Sequence, residues 1–126
     1  MKVARWIFGI AGVYGILVMA PLYFAEATIA KNDPPAITHV EYFYGFIGIT
    51  LAWQFVFLLI SRDPVRYRTL MLVSVLEKLA WGVPVLLLFL QQRLKASALV
   101  FGCIDLVLGA LFVLAFFITP RDELTR

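Results

Sequence analysis

Four long apolar runs, separated by short stretches rich in charge, proline and amide side chains, set the pattern of this chain. They cover about 4–25, 40–61, 64–91 and 96–119. A helix rises about 1.5 Å per residue, so each run is long enough to cross a hydrocarbon layer of about 30 Å. No internal repeat, heptad or low-complexity tract interrupts them. The pattern predicts an all-α, four-helix transmembrane bundle, with 1–126 forming a single membrane domain.

Local signals refine the boundaries. Lys2 and Arg5 precede the uninterrupted apolar stretch Trp6–Phe24 of the first run and Ala25-Glu26-Ala27 follows it, an outline shared with secretory leaders. The apolar stretch exceeds the roughly 7–15 residues of a leader's core, so a retained helix is expected. Gly9, Gly12 and Gly15, with Ala11, give this helix a small-residue surface for close approach, and Gly45, Gly48 and Ala52 make a similar stripe on the second. Residues 26–39 read as a linker, with Asn32-Asp33-Pro34-Pro35 as a turn. Glu41, Tyr42 and Tyr44 mark the membrane interface. Asp63-Pro64 pairs an N-capping residue with a first-turn proline, which starts the third helix at Pro64. Pro84 lies inside that helix and predicts a kink near Ala80. A short turn at Gln91–Lys95 follows, and the fourth helix stops before Pro120. The tail 121–126 is polar and expected to fray. Two short connections make helices two to four an antiparallel meander.

Composition agrees with a membrane chain. Of 126 residues 63% are hydrophobic and 15% charged, with a mean hydropathy of +0.93. Soluble domains carry about a quarter charged residues. The net charge of +3 sits in bases that flank the apolar runs, which points to membrane orientation and excludes nucleic acid as a partner. Lys2, Arg5, Arg62, Arg66, Arg68, Arg121 and Arg126 fall on one side, and Lys31, Arg93 and Lys95 on the other. Seven bases against three place both termini in the cytoplasm. The single cysteine, Cys103, permits no internal disulfide and is expected to pack as a small hydrophobe.

Three ionisable residues lie deep inside the runs: Glu77, Lys78 and Asp105. A charge at a helix centre costs about 2.5–3.5 kcal/mol on insertion scales, so these groups are expected to face the bundle interior. Glu77 and Lys78 point about 100° apart, so each is expected to face a different neighbour and not its companion. Depth counting puts Glu77, Gln54 and Tyr14 about 10–14 Å from the cytoplasmic ends and Asp105 about 7 Å further. Lys78 has a stem long enough to span that offset. The expected centre is a Lys78–Asp105 ion pair, with Glu77 near Gln54 and Tyr14. Asp105 shares a face with Gly102 and Gly109, and Glu77 shares one with Ser74 and Trp81. Trp53 lies at similar depth and joins the candidate ligand-binding set. The plainer alternative is a polar network that only fixes helix register.

Other chemistry is thin. His39, Glu41, Glu26 and Asp33 gather in sequence, but one histidine without a spaced partner makes neither a metal site nor a haem site. No catalytic triad, phosphate loop or paired-cysteine motif is present, so no cofactor, metal or catalytic residue is expected.

The segments Arg62-Asp63-Pro64-Val65-Arg66-Tyr67-Arg68, Val75-Leu76-Glu77-Lys78 and Asp105-Leu106-Val107-Leu108-Gly109 together resemble a group of small four-helix bacterial membrane proteins of unknown function. That likeness implies a bacterial cytoplasmic membrane and no particular activity. In helix count the chain is similar to EXPERA-domain and DoxX-like bundles; the first of these enclose a sterol-sized pocket of acids and aromatics, which Glu77, Asp105, Trp53 and Trp81 would line here. It is also similar in length to small multidrug resistance exporters. Those depend on a glutamate in the first helix, which has none here, so Glu77 would have to act from the third. The leading expectation is non-enzymatic: a bundle that holds a lipid-like or small apolar ligand, or serves as a subunit of a homo-oligomer or larger membrane complex. A proton-coupled exporter and an intramembrane isomerase are the alternatives.

Overall fold

A computed structural model of the protein describes residues 2–121. The four runs form helices α1 (Lys2–Met19), α3 (Val40–Arg62), α4 (Arg68–Leu90) and α5 (Ala96–Ile118), and a shorter helix α2 spans Glu26–Asn32. A 3₁₀ segment, Ala20–Phe24, extends α1, and with it all four long helices are long and apolar enough to cross a membrane. Regular structure is helical throughout the described residues. The fraying expected for the tail, and Arg126 in the charge count, lie outside them.

The local chemistry explains each boundary. Pro21 has no N–H for the carbonyl one turn earlier, and α1 tightens into the 3₁₀ form there. The expected linker contains α2, whose ends are tied by Ile29 N–H to the Ala25 carbonyl and Asp33 N–H to the Ile29 carbonyl, both at 2.8 Å. Glu26 in its first turn and Lys31 in its last suit the helix dipole. The Asp63-Pro64 signal acts one turn before the helix proper. Asp63 accepts from Tyr67 N–H at its carbonyl (3.1 Å) and from Arg66 N–H at its carboxylate (3.4 Å), and α4 starts only at Arg68. At the far end of α4, Gln92 takes φ 61° while Gln92 N–H reaches the Phe89 carbonyl and Arg93 N–H the Leu88 carbonyl. This closes the helix as glycine-ended helices close, with glutamine in the left-handed position.

Glycines decide which helices approach most closely. A Cβ on Gly12 would sit 2.9 Å from the Gln54 carbonyl oxygen, and one on Gly15 would overlap the Gln54 side chain. A Cβ on Gly82 would lie 3.3 Å from the Gly102 carbonyl oxygen, and one on Gly109 would lie 3.3 Å from Lys78 Cβ. The intimate pairs are therefore α1 with α3 and α4 with α5; α1 also packs on α5, and α3 touches α4 only lightly. Within the expected run of helices two to four, α4 is therefore closer to α5 than to α3. The second expected stripe makes no helix contact of this kind: Gly45 faces open space, Ala52 is exposed, and Gly48 meets only the Tyr23 hydroxyl.

The bundle is solid at one end. Ala4, Phe8 and Ala11 of α1 meet Phe57 and Ile60 of α3, Met71 of α4, and Phe112 and Ala115 of α5 in one buried cluster. Phe8 and Phe112 stack at 4.2 Å between ring centroids, and Phe57 meets Phe112 edge-on at 5.0 Å. Arg68 closes this end. Its Nε donates to the carbonyls of Phe116 (3.1 Å) and Thr119 (2.8 Å), and its guanidinium lies 3.8 Å from the Phe116 ring centroid. A cation on the last carbonyls of a helix also offsets the dipole. Ser61 adds a tie from α3 to α1 by donating to the Arg5 carbonyl at 2.7 Å.

Candidate functional site

Directly beside this plug lies the polar centre. Lys78 is 3% exposed, and its Nζ stands 3.4 Å from Asp105 Oδ1, 3.6 Å from Glu77 Oε2 and 5.0 Å from the Phe57 ring centroid. The carboxylates are almost as covered, at 14% exposed for Glu77 and 15% for Asp105. Gly109 favours the arrangement, because even a Cβ there would crowd the Lys78 stem against α5, at 3.3 Å from Lys78 Cβ. Asp105, one turn away on the same glycine face, then receives the ammonium.

The expected Lys78–Asp105 pair is present. The expected separation of Glu77 from Lys78 is not: the two are within ion-pair distance. Their Cβ atoms diverge as helix geometry requires, but four methylene groups let the ammonium turn back over its own helix. Lys78 therefore sits between two carboxylates and makes a short bond to neither, since charge-assisted bonds usually measure about 2.7–2.9 Å.

The centre forms one wall of a cavity of about 530 Å³ between the α1–α3 and α4–α5 pairs. Tyr14 and Gln54, expected near Glu77, line it, as do Glu77, Lys78, Asp105 and Trp81. Trp53 does not line it; it packs against the aromatic cluster and meets Phe57 at 6.3 Å between centroids. Depth counting placed Trp53 correctly along the axis, but one residue of helix turns it about 100° from Gln54. Sequence reasoning missed Phe46, Phe101, Ala98 and Thr50, all of which face the cavity. Phe101 and Thr50 stand one turn from Asp105 and Gln54, and that spacing was the available signal. The rim includes the exposed residues Leu17, Pro21, Phe46, Ser97 and Phe101, so the cavity reaches the surface at the end away from the plug.

Gln54 is 1% exposed. Its Nε2 donates to the Thr50 carbonyl at 2.8 Å, while its Oε1 and Glu77 Oε2 have no hydrogen-bond donor. Both oxygens are sealed from the open space of the cavity, Gln54 Oε1 by its packing against Gly15 of α1, and a buried acceptor without a donor is costly.

The other sequence cluster disperses. His39 pairs with Glu41 at 3.5 Å in an exposed position, Glu26 accepts from the Tyr44 hydroxyl at 2.8 Å, and Asp33 pairs with Lys95. No group of three or more histidine, cysteine, aspartate or glutamate residues gathers as a metal site among the described residues. Cys103, expected to pack as a small hydrophobe, is exposed on α5. Comparison with protein-family models, with curated proteins and with solved structures finds no match for the chain.

Proposed function

We propose that this is a four-span protein of a bacterial cytoplasmic membrane that holds a lipid-like or small apolar ligand in the cavity beside Glu77, Lys78 and Asp105. The observation that carries this reading is the cavity itself. A bundle built only to fix helix register has no use for an open space beside its most expensive residues. About 530 Å³ lies within the usual range of ligand pockets. Its rim of Leu17, Phe46 and Phe101 is exposed on helix flanks, which is where an apolar molecule would enter from acyl chains. The same opening serves an isomerase of the EXPERA kind, but both carboxylates of the cavity are held by Lys78, so binding is the reading preferred.

Purification in a mild detergent followed by native mass spectrometry tests it. The wild-type protein is expected to carry a bound lipid or small apolar molecule. Ala98→Trp, which adds an indole to the cavity wall, is expected to lose it while keeping the helix content and unfolding midpoint of the parent. Equal adducts on both proteins would count against the cavity as the binding place.

The helices are taken to run alternately up and down, with both termini in the cytoplasm. The shared cluster of early α1, late α3, early α4 and late α5 supports the alternation, and the bias of bases supports the orientation. In a Cys103→Ser background, Lys31→Cys is expected to react with a membrane-impermeant maleimide in intact cells, and Lys2→Cys only after lysis. The reverse labelling would invert the orientation.

A further inference from the structure

We infer that a groove between the start of α1 and the end of α3 seats an anionic phospholipid of the membrane, with its phosphate on Lys2 and Arg5 and an acyl chain along Gly9, Ile10 and Val13. This groove shares no lining residue with the ligand cavity, so neither reading depends on the other.

Three observations carry it. The first is the order of the wall. The groove holds about 520 Å³, lined by Lys2, Arg5 and Trp6 at one end of α1, then by Gly9, Ile10 and Val13, with Ser61 of α3 opposite. The α1 positions recur three and four apart and so share one face. From Lys2 to Val13 that face extends about 16 Å, close to half of a hydrocarbon layer of about 30 Å. Charge, then an amphipathic ring, then aliphatic surface is also the order from headgroup to tail in a phospholipid.

The second is charge. Lys2 and Arg5 are exposed, the groove holds no acid, and among the described residues neither base is in an ion pair. Bases close to a membrane surface attract anionic lipid, and a guanidinium can donate two parallel N–H bonds to phosphate oxygens. Ser61 donates to the Arg5 carbonyl, which ties the backbone carrying these bases to α3.

The third is shape. A Cβ on Gly9 would stand 3.0 Å from Ser61 Oγ, so the missing side chain leaves a trough where α1 meets Ser61. Trp6, Ile10 and Val13 beside it are each more than half exposed. A trough touches an acyl chain on more than one side, and a convex helix face does not. A second copy docked symmetrically through this face would bring Lys2 and Arg5 toward their own counterparts, which disfavours a dimer here.

The test compares two heads on one pair of tails. Dioleoyl phosphatidylglycerol and dioleoyl phosphatidylcholine are titrated onto the protein in non-ionic micelles. Adducts are read by native mass spectrometry, and those removed by Ile10→Trp belong to the groove. The anionic lipid is expected to bind about tenfold more tightly than the zwitterionic one. Lys2→Gln with Arg5→Gln is expected to bring the two within about twofold. Arg66→Gln with Arg121→Gln, which removes two exposed bases outside the groove, is expected to keep the preference, as is Ala98→Trp in the ligand cavity. Equal binding of the two lipids to the wild-type protein overturns the inference. So does an equal loss of preference in the two double variants, which would assign it to the basic end as a whole. Loss in Ala98→Trp would move the lipid to the cavity, and a dimer broken by Ile10→Trp would give the groove to a second copy; either overturns it. The tie from Ser61 to Arg5 runs through backbone and survives these changes, and the wild-type ranking decides between the heads even if a variant does not fold.

Discussion

Lys78→Met is expected to lose about 3–5 kcal/mol of stability, the usual cost of removing one partner from a buried ion pair. Here the loss falls on two acids at once, because Lys78 Nζ stands between Glu77 and Asp105. Adding Asp105→Asn is expected to recover part of the loss, and adding Glu77→Gln as well to recover most of the remainder. Unfolding in mixed micelles of rising dodecyl sulfate content, followed by tryptophan fluorescence, gives the three values. Coupling between Lys78 and Asp105 is expected to exceed about 1 kcal/mol, well outside the additivity of distant sites. Strictly additive changes would mean that the ammonium and carboxylate do not act on one another. The result also bears on the proposed function: a trio that contributes little to stability would leave fixing the helices as no explanation for its place in the cavity wall.

The second large effect belongs to glycine. Gly12→Ala is expected to cost about 1–3 kcal/mol and Gly12→Leu to prevent α1 from seating on α3. The neighbour in the way is partly backbone, the Gln54 carbonyl oxygen at 2.9 Å from the added Cβ, and backbone cannot rotate aside. Gly45→Ala serves as the control. Nothing lies within 4 Å of a Cβ there, and the change is expected to be neutral or stabilising by a few tenths to about 1 kcal/mol through helix propensity. The same dodecyl sulfate titration reports both. Equal costs at the two positions would show that glycine acts here through chain flexibility and not through contact.

Those two glycines also show how much of the fold could be read in advance. Apolar length located all four spanning helices, because crossing a hydrocarbon layer demands length before anything else. Small-residue spacing was less informative. It states that a surface permits close approach, and Gly12 has a partner while Gly45 does not. Loop length argued for α3 against α4, yet the glycine faces direct α3 to α1 and α5 to α4. Polar composition concealed α2, since two turns of helix leave little periodicity in a stretch ending in Asn32-Asp33-Pro34-Pro35.

The site was legible in part for similar reasons. The cost of a bare charge in lipid forced Lys78 toward Asp105, and that pair stands. Axial depth brought Tyr14, Gln54 and Glu77 to one cavity. Azimuth was harder. Trp53 shares the depth and points elsewhere, while Lys78 curls back to the Glu77 it nominally turns from. The cavity depends on how four helices diverge above the phenylalanine cluster, and no single residue encodes that.

The phenylalanine plug and the Arg68 clamp hold the rods as a pivot holds a pair of tweezers. From Phe57 in the plug to Val40 at the start of α3 the helix runs about 25 Å, so a tilt of about 5° at the pivot would move that tip by about 2 Å. The ties near the helix tips are few: an exposed ion pair of Lys95 with Asp33, of a kind that counts for little, and a half-buried hydrogen bond from Tyr44 to Glu26. A tilt of that size would widen the cavity mouth at the far ends of the helices and leave the rings of the plug in place.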